Sequence, residues 1–216
     1  MRREAGTSAA RSRTTLRKGI RDDIGVIRLA IGVKFLPTVD EARPKHCVRC
    51  EVGAYEGERR RIYGHGLVER QQRGPPGAGE MATCLELWVR RYLCTACGAV
   101  MQVVPGSCVP SKHFSGGAIG LALALWSAGR TAAEVRKEVS DWRVVGAAAR
   151  GWRSLSRWAR DVKAGKLFAW LALGEQAGSA RMIAGRAAQA LRGYAPLEWQ
   201  ESAVWVQSQI GASHVS

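Results

Sequence analysis

Hydrophobic and polar positions change their period midway along the chain. From residue 84 to 93 they alternate, with Leu85, Leu87, Val89 and Leu93 on one face and Glu86, Trp88, Arg90 and Tyr92 on the other. Period two over such a length predicts a strand with one face on a core. Val100–Val104 predicts a second strand, stopped by Pro105. Upstream, residues 24–36 read as a short strand or amphipathic segment, and Gly64-His65-Gly66 as a turn. Gly74-Pro75-Pro76-Gly77-Ala78-Gly79 carries the strongest loop signal.

After Ser115 the pattern becomes helical. Ala118–Ala128 is rich in Ala and Leu and predicts a buried helix ended by Gly129. Thr131-Ala132-Ala133-Glu134 has the form of a capping box, in which the Thr hydroxyl accepts a backbone N–H and the Glu reaches back. It opens a helix over Ala132–Val139 that stops near Ser140-Asp141. After a turn ending around Gly146, a third helix is expected over Ala147–Val162. Its apolar stripe is Ala148, Trp152, Leu155, Ala159 and Val162, and its opposite face carries Arg150, Arg153, Arg157 and Arg160. Residues 166–193 and 197–210 predict two more helices, parted near Gly193 and Pro196. The expected class is therefore α+β, a small β unit followed by an all-α region.

Four cysteines give the β unit its chemistry. Cys47 and Cys50 form one Cys-x-x-Cys pair, and Cys94 and Cys97 form another that ends in Gly98. Two such pairs can close a tetrahedral thiolate shell around Zn²⁺, which then staples loops that lack a core of their own. The stretch Glu51–Leu93 between the pairs exceeds the ~15–20 residues of the usual spacing, so a large hairpin insert is required. Cys84, placed opposite the Leu face, and Cys108, in a loop, are spare thiols. His46, His65 and His113 are alternative ligands that a four-cysteine set does not need. Ser107, Ser111 and Ser115 lack the setting of a nucleophile elbow.

Charge then points to a partner. The 216-residue chain has a formal net charge of +15 and a pI near 10.4. Such a balance favours a polyanion, most often nucleic acid, although an Arg-rich coding bias would raise it too. A capped short helix, a turn and an Arg-faced helix together have the layout of a helix-turn-helix whose arginines would meet a groove or phosphates. Trp152 and Trp158 read as core anchors. The basic, polar N-terminus lacks the apolar region of a signal peptide, and the apolar runs at 24–36 and 118–126 are too short to span a bilayer. A cytoplasmic protein with reduced or metal-bound thiols is expected, with no membrane partner. The chain divides into a basic arm (1–43), a zinc ribbon (44–110), a helix-turn-helix (114–165) and a C-terminal helical segment (166–216).

The first Cys pair, then Gly64-His65-Gly66-Leu67-Val68-Glu69-Arg70, then Leu87-Trp88-Val89-Arg90-Arg91-Tyr92-Leu93-Cys94-Thr95-Ala96-Cys97 resembles the N-terminal zinc ribbon of ISL3-type transposases. More closely, it is similar to a family of small zinc-ribbon proteins of bacterial mobile elements. The proline segment Val104-Pro105 through Val109-Pro110 and the motif from Trp142 through Gly151-Trp152-Arg153-Ser154-Leu155-Ser156-Arg157-Trp158 carry the same resemblance. It covers about residues 44–163. It implies Cys47, Cys50, Cys94 and Cys97 as zinc ligands. Full transposases of that type also have a catalytic domain with three metal-binding carboxylates. After Asp161 this chain offers only Glu175, Glu198 and Glu201, with no strand-rich region to hold them and too short a segment to build that domain. The expectation is thus a non-enzymatic DNA-binding protein, an accessory, remnant or regulator of a mobile element. The alternative is an adaptor that binds a protein, such as a separately encoded recombinase or transposase, with Trp170, Trp199 and Trp205 as anchors.

Overall fold

A computed structural model describes residues 25–29 (backbone only), 36–142, 151–171, 173 and 178–214. The class is α+β. A four-stranded sheet in the order β1-β6-β5-β4 holds the first half together. Its strands are β1 (Gly25–Leu29), β4 (Ile62–Gly74), β5 (Thr83–Cys94) and β6 (Val100–Pro105), and a small ribbon of β2 (Tyr55–Glu56) and β3 (Arg59–Arg60) stands apart. β4, β5 and β6 run antiparallel in succession, whereas β1 pairs parallel with β6. The required insert is therefore the long β4–β5 hairpin, turned by the Gly/Pro-rich loop, together with β2–β3.

Two expectations for this half need correction. Gly64-His65-Gly66 is not a turn between strands. It is a register shift inside β4, between Gly64 and Leu67, that leaves the strand continuous. Nor is the polar face of β5 solvated along its length. Leu87 and Val89 are buried as expected, but Tyr92, assigned to the outer face, is fully buried as well. The segment before the first Cys pair lies over that end of the sheet. The Tyr92 hydroxyl donates to the Val39 carbonyl at 2.7 Å, and Arg90 Nε donates to the Pro37 carbonyl. Ile62, Met101 and Val103 complete this small core with Ala42, Ala54 and Ala99.

The second half is helical. α1 (Gly116–Ser127) is capped by Ser115, and α2 (Ala132–Val139) opens on the expected capping box at Thr131 and Glu134. Hydrogen bonds from the Thr131 side chain and backbone hold the Glu134 carboxyl below its ordinary range. The others are α3 (Ser154–Lys163), α4 (Ala180–Arg192) and α5 (Val204–His214), with 3-10 turns at Ala169–Leu171 and Leu197–Trp199. α1 runs through the centre, buried almost all round. It meets α5 at small residues: a Cβ on Gly120 would lie 2.6 Å from the Ala212 Cβ and 2.7 Å from the Ser208 carbonyl oxygen. Ile119, Leu123, Val135, Leu155, Trp158 and Leu191 belong to one apolar cluster joining all the helices.

The Arg-faced helix is shorter than predicted. It starts at Ser154, with Gly151 and Trp152 outside it and Arg153 as its N-cap; residues 143–150 lie outside the described residues. Trp152 instead joins an edge-to-face trio with Phe114 and Trp158, at ring separations of 5.1 to 5.6 Å. α3 packs chiefly on α4, with a lesser contact to α1. The expected helix over 166–193 is likewise cut back to Ala180–Arg192. Gly165 and Phe168 adopt positive φ (64° and 51°), which a helix cannot contain. The hairpin docks on the helices through the Gly77 carbonyl, which accepts from Gln209 Nε2 at 2.9 Å. Among the described residues, no helix is long and apolar enough to cross a membrane.

Candidate metal centre and basic surfaces

Both Cys pairs sit on the same backbone device. In the first, the Cys47 N–H donates to the Val52 carbonyl, and its own carbonyl accepts from the Glu51 N–H, each at 2.9 Å. In the second, Cys94 does the same with Ala99 and Gly98, again at 2.9 Å. The fifth residue of each knuckle is left-handed, with φ of 73° at Gly98 and 59° at Glu51. Glycine takes that conformation without a Cβ penalty, whereas glutamate does so at a cost of about 1 kcal/mol. The second knuckle is tied to the segment before β4 by the Arg61 carbonyl, which accepts from the Thr95 N–H at 2.9 Å and the Thr95 hydroxyl at 3.1 Å.

That scaffold brings all four predicted cysteines into one cluster, with sulfurs within 4.8 Å of one another. Cys47 Sγ lies 3.6 Å from Cys97 Sγ, and Cys50 Sγ 3.7 Å from Cys94 Sγ. Cys47 and Cys94 are buried, Cys97 is half-buried and Cys50 is exposed. The sulfurs perturb one another. Burial opposes ionisation of Cys47, but the amides of Cys50 and Arg49 and the adjacent thiols outweigh it and bring the group down to about 7. Burial and the facing sulfurs push Cys97 up to about 12. The protein alone thus favours the Cys47 thiolate and disfavours that of Cys97. A divalent cation supplies the charge that allows all four to ionise. The arrangement can hold a metal ion, and a fourfold protein shell leaves no place for a reactive water.

Cys84 and Cys108 lie apart from this cluster; the Cys108 thiol faces Gln72 Oε1 at 3.3 Å. His46 forms a bridge with Gly53, and no described histidine joins the metal cluster. Of the four arginines expected to meet DNA, Arg150 lies outside the described residues. Arg153, Arg157 and Arg160 are exposed, opposite the buried Leu155, Trp158, Ala159 and Val162. Trp170 is half-buried and meets Tyr194 edge to face at 4.6 Å, while Trp205 keeps 41% of its surface exposed.

Pattern reading passed over a second basic surface, beside the knuckles. Arg60 stands between two exposed tyrosines, 5.8 Å from the Tyr55 ring centre and 5.9 Å from that of Tyr63. The run Arg59-Arg60-Arg61 between two tyrosines was its only sequence signal. Comparison with family models, curated proteins and solved structures gave no match to this chain.

Proposed function

We propose that the protein is a zinc-stabilised DNA-binding protein without catalytic activity, and that α3 is its DNA-contacting helix. The observation that carries this reading is the exposed row Arg153, Arg157 and Arg160, none of which forms an ion pair with a described residue. Arginines left free in this way can pair with backbone phosphates or meet guanine edges. The start of α3 adds to the argument. Arg153 occupies the N-cap with no side-chain cap, and no acid lies in the first turn. A cation at the positive end of a helix is disfavoured by itself, and a phosphate there would satisfy both.

Zinc is a metal that the sulfur spacing fits. Bonds of about 2.3 Å in a tetrahedron place sulfurs about 3.8 Å apart, close to the separations across the cluster. Its role would be structural, holding two knuckles over a small core. An accessory or regulatory role in a mobile element, as the resemblance to ISL3-type transposases implies, fits a protein that binds DNA and leaves the chemistry to another chain.

Titration of a labelled duplex at several salt concentrations tests the reading. Binding should weaken steeply with salt, and Arg153→Ala combined with Arg157→Ala should lower affinity and reduce the salt slope by about two. Unchanged duplex affinity in that double variant would overturn it. The adaptor reading draws support from Leu197, Tyr194 and Trp205, which keep 82%, 44% and 41% of their surface exposed near the C-terminus. A protein partner that survives nuclease treatment and is lost with Trp205→Ala would favour it.

A further inference from the structure

Beside the metal cluster, the first β ribbon delivers Tyr55 and Arg60, and the start of β4 delivers Tyr63. Both rings are largely open, at 51% and 43% of their full exposure, with the Arg60 guanidinium between them. Arg60 and Tyr63 also line a cleft of about 340 Å³, shared with Arg90, Tyr92, Gly64 and Gly66. Its size lies at the lower end of small-ligand sites, ~300 Å³. At the β4 register shift, open space lies where Gly66 would carry a side chain, while Val39 packs against Gly64. Of the acids near the strip, Asp40 pairs with Arg43 and also attracts Arg60, and Glu56 accepts from Arg61 Nε at 2.7 Å. The strip therefore presents aromatic faces beside a run of arginines whose charge is balanced only in part.

Exposed rings interleaved with guanidinium groups suit unpaired bases, which stack while the adjoining phosphates meet the charge. A duplex hides its base faces and can use only the charge. We propose that Tyr55, Arg60 and Tyr63, with the adjoining cleft, form a platform for single-stranded nucleic acid, distinct from the duplex-contacting face of α3. The proposal rests on the nucleic-acid reading above for the class of partner but uses different residues. The protein would then engage two forms of one substrate, paired along α3 and unpaired at the knuckles.

The test uses the full metal-loaded chain and labelled strands of about 15 nucleotides, in the range of known single-strand footprints. A base-bearing single strand, an abasic strand of equal length and the corresponding duplex are titrated in parallel. The base-bearing strand should bind at least tenfold more tightly than the abasic one; equal affinities would overturn the platform without recourse to any variant. Tyr55→Ala and Tyr63→Ala should each weaken single-strand binding by about tenfold. Tyr55→Phe and Tyr63→Phe should stay within about twofold of the parent, because stacking needs the ring and not the hydroxyl. Duplex affinity should not follow the tyrosines, just as single-strand affinity should not follow Arg157→Ala. Alanine variants with full metal content and undiminished single-strand affinity would refute the proposal while leaving the α3 reading intact. An RNA strand run alongside assigns the source, since stacking alone treats the two sugars alike and a 2′-hydroxyl contact would favour RNA.

Discussion

The two halves of the molecule are held by different means. The helical half closes around Leu123, Ile119, Leu155, Trp158 and their neighbours, a continuous apolar cluster built from five helices. The β half is built on two smaller clusters, one around Ile62, Tyr92, Met101 and Val103 and one of Leu87, Val89, Val104 and Cys108, and it places four sulfurs at the end of the first. Split cores of that size offset less of the chain entropy of two knuckles and a long hairpin than one continuous core does. Metal binding would supply the difference, since structural zinc contributes on the order of 10 kcal/mol of folding free energy. With a metal bound, one half would thus be stabilised by apolar area and the other by coordination. They should fail separately.

Removal of the metal, or Cys94→Ser, gives the largest expected effect. Amide protection in β5 and β6 should collapse while α1, α4 and α5 keep theirs, as hydrogen exchange would show. Simultaneous loss in both halves would merge them into one cooperative unit. The converse is Leu123→Ala, which removes a fully buried side chain from α1. It should destabilise the helices by about 2–5 kcal/mol in denaturant titration. Metal stoichiometry, measured by mass spectrometry, should stay unchanged. A smaller effect is expected from Thr131→Ala, which deletes the α2 cap and should lower helical stability by about 1 kcal/mol. Smallest and opposite in sign is Glu51→Gly. Relief of the left-handed glutamate, offset by the entropy of glycine, should stabilise the β half by about 0.5 kcal/mol. A competition assay against a chelator would register this as slower metal loss, with no change in the helices.

Features set by neighbouring residues were legible in the sequence. The Cys-x-x-Cys frame, the β5 strand, the Gly/Pro loop and the Thr131 capping box each depend on a few adjacent positions, and each stands where expected, although within β5 only Leu87 and Val89 of the apolar face are buried and Leu85 is exposed. What was not legible depended on distant chain. Tyr92 reads as outward in a two-faced strand, but the segment carrying Pro37 and Val39 covers that face and satisfies its hydroxyl. Trp152 fits a helical stripe at i and i+3 from Leu155, yet the pull of Phe114 and Trp158 places it ahead of the helix. The equivalence of Glu51 and Gly98 emerges only when the knuckle backbones are compared, because an acid in that place carries no signal for a left-handed turn. Of the arginines proposed to contact duplex DNA, Arg153, Arg157 and Arg160 share the exposed side expected from their spacing. Pattern alone could not tell that the helix begins at Ser154.

The parallel pairing of β1 with β6 also has a consequence for synthesis. Gly25–Leu29 leaves the ribosome early, but its partner Met101–Pro105 emerges only after both knuckles and the whole hairpin. At about 5–20 residues per second, that wait is on the order of ten seconds. For most of it Cys47 and Cys50 exist as half a site, two thiols with nothing opposite them. Arrival of Cys94 and Cys97 completes the four-sulfur cluster, and β6 follows within a few residues to receive β1. The second knuckle therefore completes the cluster just before the last described strand completes the sheet, and until then the first pair of thiols is open to oxidation and mispairing.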